Sequence, residues 1–186
     1  MKKLLTFISI VVVLSSCGNN EAITKPKPKT CEQIETCKMA LQYATYAEQG
    51  AEDKLYKMQN QIGEQRSYDN LEKAKRYIAE DYQQYKNQQI KKYGVLKYTV
   101  IKNQSYVYKF QYNSFRKNDD GVREFTTLIV HVYKDGKKYY PIEVFDYPDF
   151  KKIQGNRELD SPEVYYSSNL TNKEKEKFEP KPIEGE

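Results

Sequence analysis

The chain contains one histidine, His131, and imidazole is the side chain best suited to proton transfer near neutral pH. His131 and Tyr133 lie in a stretch of alternating residues that predicts a β-strand, and Glu143 lies in the next predicted strand. In a shared pocket these three side chains would place a general base beside a carboxylate and a hydroxyl. The alternative is a strand histidine that is hydrogen-bonded by its neighbours. Nothing else in the sequence completes a catalytic set, so we predict no catalytic residue.

Metal and cofactor sites lack the residues that they need. No second histidine is present to share a metal ion with His131, and two cysteine thiols do not complete a tetrahedral shell. Asp119, Asp120 and Gly121 match only a fragment of a calcium loop and are typical of a turn. No glycine-rich phosphate loop occurs. The sequence therefore predicts no metal ion and no cofactor.

Cys17 follows a segment with the three parts of a secretory signal: a positive start, an apolar run over 4–14, and small residues at 15–16. At a rise of about 1.5 Å per residue, this run is too short to span a hydrocarbon core roughly 30 Å thick. The residues Leu14-Ser15-Ser16-Cys17 resemble the lipobox of bacterial lipoproteins. The resemblance implies cleavage before Cys17 and acyl chains on it, which anchor the chain to a membrane. The alternative is an ordinary signal peptide that ends near a cysteine.

The same resemblance predicts location. In Gram-negative lipoproteins an aspartate after the lipidated cysteine retains the protein at the inner membrane. Here that residue is Gly18, so we expect the protein to be anchored at the periplasmic face of the outer membrane, if the cell has one. Residues 17–30 are rich in lysine, proline and asparagine, which is typical of a flexible tether. The net charge of +5 is spread evenly, and export removes the chain from nucleic acid, which we exclude as a partner.

Cys31 and Cys37 are the two remaining cysteines, in a compartment where disulfides persist. Thr30 and Gln33 form a capping-box pattern, which would place Cys31 in a first helical turn. Six residues of helix separate two Cα atoms by about 9 Å along the axis, beyond the reach of roughly 7 Å for a disulfide. Either the helix begins later and the cysteines are bridged, or the cysteines stay reduced. We favour the later start and the bridge.

Tyrosine is unusually frequent, with eighteen residues and no tryptophan. Tyr106, Tyr108 and Tyr112 alternate along one predicted strand and would share one face of it. Tyrosine combines a large contact area with a polar tip, so such a face could recognise an envelope protein, a peptide or a glycan. The competing interpretation is packing of half-buried strand residues. Together with His131, Tyr133 and Glu143, these tyrosines form the candidate ligand or partner surface.

The first half of the predicted domain is helical. Apolar residues at steps of three and four predict helices near 33–48 and 51–62, with a break where Glu48 interrupts the stripe beside Gly50. A further helix is predicted from Asp69, as N-cap, towards Tyr93, with Gly94 as its C-cap.

From residue 95 the hydrophobic period changes to two. It predicts strands over 95–102, 105–116, 122–134 and 138–146, with a hairpin turn at Asp135-Gly136. Pro141 cannot donate to a ladder, so the fourth strand should be an edge strand or bulged. Helices followed by a run of antiparallel strands predict the α+β class.

The lipobox, a helix interrupted within AEQGAEDKLYKM, a longer helix ending in KKYG, and four consecutive strands resemble lipoproteins with NTF2-like or cystatin-like folds. The resemblance implies N-terminal helices packed on one face of a curved four-stranded antiparallel sheet, whose concavity can hold a ligand. The predicted organisation is a signal peptide (1–16), a lipidated tether (17–30), an α+β domain (31–150) and a C-terminal extension (151–186) that is largely disordered after residue 170.

Three functions fit these features. The first is a lipid-anchored, non-enzymatic binding or accessory module of the bacterial cell envelope. The second is a small-molecule-binding or isomerase-like pocket protein of the NTF2 type. The third is an immunity or exclusion lipoprotein that protects the cell against a toxin or a phage. Because one fold supports several of these functions, the fold alone does not select among them.

Overall fold

A computed structural model describes residues 30–62, 66–117, 120–168 and 170–184. The signal segment, Cys17 and the tether up to residue 29 lie outside the described residues, so their predicted roles remain predictions. Within the described residues the fold is α+β, as the sequence predicts, with six α-helices and a five-stranded antiparallel sheet in the order β4-β3-β2-β1-β5. A short 3-10 helix, Cys31–Gln33, precedes these elements. The helices are α1 (Glu35–Gln49), α2 (Glu52–Met58), α3 (Leu71–Lys75), α4 (Tyr82–Tyr85), α5 (Tyr147–Gln154) and α6 (Asn172–Lys177), and the strands are β1 (Tyr93–Ile101), β2 (Ser105–Asn113), β3 (Phe125–Asp135), β4 (Lys138–Val144) and β5 (Glu163–Tyr166).

The sheet buries both of its faces. Residues paired across the ladder share a face, and Tyr108 pairs with Val130, which pairs in turn with Glu143. This face packs on α1 and α2 and forms the larger core. On the opposite face Leu96, Tyr98 and Val107 pack against α5 through Phe150. Pro141 lies in β4, at an edge of the sheet, which confirms the prediction of an edge strand.

Buried tyrosine hydroxyls join the sheet to the helical layer. The Tyr108 hydroxyl lies 2.6 Å from Thr36 Oγ1, and the Tyr93 hydroxyl donates to Glu32 Oε1 at 2.6 Å. The Tyr43 hydroxyl of α1 accepts a hydrogen bond from Gln59 Nε2 at 3.2 Å. A buried tyrosine thus fills apolar space with its ring while its hydroxyl finds a partner, as a buried polar group requires.

Helix α1 begins at Glu35 rather than beside Thr30. The Thr30 backbone N–H does donate to Gln33 Oε1, at 3.3 Å, but the turn that it stabilises is the 3-10 helix. Extended backbone at Ile34 separates this turn from α1. Cys31 and Cys37 are therefore not in one continuous helix, and their Cα atoms lie 5.2 Å apart with the sulfur atoms 2.09 Å apart, at bonding distance. The later helix start is the arrangement that the structure adopts.

Replacing both cysteines, Cys31→Ser and Cys37→Ser, is expected to lower the free energy of unfolding by about 2 kcal/mol. The expectation follows from the loop-closure entropy of a short cross-linked loop. Urea unfolding of the oxidised chain and of the double variant measures the difference. Reductant should destabilise the parent chain by a similar amount and leave the double variant unchanged. An effect of reductant on the double variant would contradict this assignment.

The predicted helix from Asp69 to Tyr93 is wrong. Its N-cap is Asn70, whose side chain accepts from Lys73 N, and α3 ends at Lys75. The chain then makes tertiary bonds that a continuous helix would prevent, because Ala79 N donates to the Gly50 carbonyl at 3.0 Å and Gln49 Nε2 donates to the Gln88 carbonyl at 2.8 Å. Helix propensity contributes only tenths of a kcal/mol per residue, so such contacts override it.

Gly50 ends α1 in the left-handed conformation, with φ of 68°, which confirms the predicted break. A Cβ atom on Gly50 would lie 2.3 Å from Ala79 Cβ. The glycine therefore serves two needs at once: it terminates the helix, and it admits the turn after α3.

The C-terminal region carries structure that the sequence analysis did not predict. Residues 163–166 form the fifth strand, which pairs with β1, so the prediction of four strands is corrected. Helix α6 lies within the stretch expected to be disordered, and Phe178 just after it is 2% exposed. The segment after α6 covers the outer face of the sheet, where Ile183 N donates to the Tyr98 hydroxyl at 2.9 Å. The sequence of this segment is mostly charged residues and proline, so the few residues that contact the sheet do not form a recognisable pattern.

None of the described helices is long and apolar enough to cross a membrane.

Candidate functional site

A cavity of about 520 Å³ lies between α1, α2 and the helix-facing side of the sheet, and we refer to it as the acidic cavity. Three carboxylates from separate elements contribute to its lining: Glu48 of α1, Glu52 of α2 and Glu143 of β4. Aromatic side chains form much of the remaining wall, namely Tyr43, Tyr68, Tyr112 and Phe145. Phe145 is the most exposed of these rings, at 77%.

Glu48 is the fixed carboxylate of this cavity. It is buried near the end of α1, where its Oε2 accepts from the Tyr112 hydroxyl at 3.0 Å and its Oε1 accepts from Ser114 Oγ. The backbone N–H of Arg116 also points to Oε1, at 3.5 Å. These donors supply the partners that a buried carboxylate requires.

Glu52 and Glu143 are held less firmly. Burial raises the pKa of Glu52, while the hydroxyl of Tyr68, which donates to its carboxylate, opposes that rise. Burial likewise raises the pKa of Glu143, and the negative charge of Glu52 adds to the effect. Neither carboxylate forms a salt bridge with a lysine or an arginine of the described residues. The cavity therefore carries negative charge that its own wall leaves unbalanced.

Arg116 is the cation in the lining, but its guanidinium is already engaged. Its Nη2 pairs with Asp81, and its Nη1 donates to the Glu48 carbonyl at 3.2 Å. The guanidinium carbon lies 5.0 Å from the ring centroid of Tyr85. Arg116 thus connects α1 with the segment around α4, and its positive charge is paired with the carboxylate of Asp81.

The three side chains predicted to share a pocket are divided between the two faces of the sheet. His131 pairs with Ile142 across the β3–β4 ladder, and Tyr133 pairs with Tyr140, so both lie on the outer face. Glu143 pairs with Val130 and faces the helices. The period of two places Glu143 out of phase with His131, so Glu143 alone lines the acidic cavity.

His131 is 8% exposed, and its Nε2 lies 2.9 Å from Ser105 Oγ on the neighbouring strand. Its ring also packs on Tyr133, with centroids 5.3 Å apart. Burial lowers the pKa of His131 to about 4. The ring is therefore buried and neutral at physiological pH. Its contact with Ser105 agrees with the alternative given above, a strand histidine that is hydrogen-bonded by its neighbours.

The tyrosine face of β2 points towards the helices. Tyr108 and Tyr112 are fully buried, at 0% exposure, and belong to the larger core. Tyr106 is partly exposed at the end of the strand, where its hydroxyl accepts from Asn103 N at 2.8 Å. Tyr108 and Tyr112 are therefore not accessible to a partner in this structure, and Tyr106 is the member of the three that keeps part of its side chain on the surface. Tyr112 contributes to a site only through the hydroxyl that holds Glu48.

Glu52, Tyr68 and Arg116 are not among the site residues predicted from the sequence, where Glu48 marks only a helix break. Glu48 nevertheless gave a signal, since it is the single polar residue in register with the apolar stripe of α1. A carboxylate on a buried stripe requires buried partners. Nothing local links it to Glu143, which is ninety-five residues away in sequence and approaches it through the sheet.

Within the described residues, no group of three or more histidine, cysteine, aspartate or glutamate side chains is arranged to hold a metal ion. Comparison with known proteins adds no relative: no protein family, no curated sequence and no solved structure matches this chain.

Proposed function

We propose that this chain is a lipid-anchored, non-enzymatic binding module of the bacterial cell envelope, and that its acidic cavity binds a small organic cation. The lipobox-like sequence at Cys17 supports the anchor. One observation carries the binding function: three carboxylates from separate elements line one aromatic-walled cavity, and the wall leaves Glu52 and Glu143 without a cationic partner.

The chemistry of the wall selects the ligand class. An ammonium group would satisfy Glu52 and Glu143 by charge-assisted hydrogen bonds. Aromatic rings favour the same charge, because their negative faces attract cations. Phe145, which is exposed among the lining residues, offers contact to an apolar part of the ligand. We therefore expect an organic amine, with the charge inside the cavity and a carbon chain towards its mouth.

The position of the predicted general base supports binding without catalysis. The histidine lies on the other face of the sheet, and Glu48 is held by three donors. We further propose that the helix-backed sheet is the cone of an NTF2-like or cystatin-like domain, in which the concave side holds the ligand. The order of α1, α2 and the first four strands supports this assignment.

The double variant Glu52→Gln and Glu143→Gln is expected to bind amines at least about tenfold more weakly than the parent chain, since each lost charge-assisted contact is worth roughly 1.5–3 kcal/mol. Spermidine is a suitable probe and choline a comparator, with binding measured by calorimetry at low ionic strength. Acetate should not bind. The matched control is Glu80→Gln with Glu158→Gln, which removes the same charge from exposed positions.

Thermal unfolding separates lost binding from lost folding. Burial and mutual repulsion raise the pKa of Glu143, so its ionised form destabilises the fold. Above the ordinary carboxyl pKa this penalty grows with pH, and neutral glutamine removes it. The double variant should therefore unfold at a temperature no lower than the parent at pH 7. Equal losses of affinity in the double variant and the control would refute a specific cavity site.

A further inference from the structure

A second cavity, of about 450 Å³, lies beside α1, between this helix and the segment that leads into β1. It shares no lining residue with the acidic cavity. Its wall includes Lys38, Lys54 and Lys86, and we refer to it as the lysine cavity. The charge pattern is opposite to that of the acidic cavity, so a different ligand is required.

Gln49 is the unusual residue of this wall. Its side chain is 3% exposed, and its Nε2 donates to the Gln88 carbonyl at 2.8 Å. Its Oε1 is enclosed and has no hydrogen-bond partner among the described residues. Buried acceptors without a donor are rare in folded proteins, and each one requires an explanation. A ligand hydroxyl in the lysine cavity would supply the missing donor, with a small adjustment of the Gln49 side chain.

The three lysines leave their positive charge available. None of them forms a salt bridge with a carboxylate in the described part of the chain. Lys54 Nζ lies 4.9 Å from the ring centroid of Tyr46, and Lys86 Nζ donates to the neutral Gln83 Oε1 at 2.8 Å. The one carboxylate in the lining, Glu32, accepts from the Tyr93 hydroxyl. The wall thus has an excess of two positive charges.

We propose that the lysine cavity binds a phosphorylated polyol of the glycerol phosphate type. A phosphate monoester carries about −1.5 to −2 at neutral pH, which balances the excess charge of the wall. Its oxygens accept hydrogen bonds from lysine ammonium groups, while a polyol hydroxyl donates to Gln49 Oε1. A phosphate beside polyol hydroxyls occurs in a free metabolite and also, as a singly charged phosphodiester, in the headgroup of a glycerol phospholipid. This inference is independent of the acidic cavity.

Calorimetry on the full chain, extracted in nonionic detergent, tests the proposal with glycerol 3-phosphate, inorganic phosphate and glycerol as probes. Glycerol 3-phosphate is expected to bind more tightly than either fragment. The variant Lys38→Gln with Lys86→Gln should weaken this binding at least about tenfold, because two charge contacts are lost. The matched control is Lys137→Gln with Lys138→Gln, two exposed lysines at the β3–β4 hairpin, and should bind like the parent.

Gln49→Leu tests the hydroxyl contact separately. It should weaken glycerol 3-phosphate binding severalfold and leave the affinity for inorganic phosphate unchanged. Micelles doped with phosphatidylglycerol, compared with micelles of phosphatidylcholine, distinguish a lipid headgroup from a free ligand. The experiment thus has two arms, the soluble probes and the micelles. Preference for glycerol 3-phosphate in the first arm, or for phosphatidylglycerol in the second, supports the proposal. Failure of both arms would overturn the proposal, as would an equal loss in the control variant or an unchanged affinity in Gln49→Leu. Retained spermidine binding in the lysine variants separates this result from the proposed function.

Discussion

Gly94→Ala is expected to lower the free energy of unfolding by about 2–3 kcal/mol, the cost of exposing one large apolar side chain and its neighbours. Gly94 lies within β1 and pairs with Gln111 on one side and Tyr166 on the other. A Cβ atom at this position would lie 2.0 Å from the Phe178 carbonyl oxygen and 2.9 Å from Pro180 Cδ. The methyl group must therefore displace the C-terminal segment, and Phe178 loses its buried position.

Truncation after residue 170 provides the control, because it removes the segment that the new methyl group would meet. In the truncated chain Gly94→Ala should be neutral or slightly stabilising, since alanine loses less backbone entropy than glycine in a strand. Urea unfolding of the four chains gives the coupling free energy between Gly94 and the segment. An equal cost of Gly94→Ala in both backgrounds would contradict the proposed contact.

His131 is expected to make the fold sensitive to acid. Its pKa is about 4 in the folded chain because of burial, against 6.5 for the ordinary imidazole. The unfolded chain therefore takes up a proton first as the pH falls, so stability is lost progressively from about pH 6.5 down to 4. At pH 4 the loss from this one residue should be about 3 kcal/mol.

The variant His131→Gln isolates this contribution, because glutamine can hydrogen-bond with Ser105 without titrating. The difference in unfolding free energy between parent and variant should shift by about 3 kcal/mol in favour of the variant between pH 7 and pH 4. Glu52 and Glu143 have raised pKa values and act in the opposite direction, but they are present in both chains and cancel. Parallel pH profiles of the two chains would disprove a buried, neutral histidine.

Helix α1 positions both candidate sites. Glu48 lines the acidic cavity and the adjacent Gln49 lines the lysine cavity, just before Gly50 ends the helix. Consecutive residues on a helix point about 100° apart, which sends these two side chains into different cavities. Substitutions at Gly50 would therefore disturb both sites, whereas the paired variants proposed above alter one site each.

Local patterns in the sequence determined much of the architecture. The change of hydrophobic period at residue 95 correctly predicted four of the strands, and Gly50 correctly marked the end of α1. Pro141 identified an edge strand, because a missing N–H has the same consequence in any sheet. These signals act over a few residues, so they survive whatever surrounds them.

The tertiary structure decided which residues are available for function. The alternation of residues along β2 and β3 predicted which side chains share a face with Tyr108 and which share a face with His131. It did not predict which elements cover either face. The helices cover one side and α5 with the C-terminal segment covers the other, so both residues are buried. The acidic cavity likewise unites Glu48, Glu52 and Glu143 through strand pairing over long sequence separations. Contacts of this kind depend on the packing of whole elements, and no local pattern of residues records them.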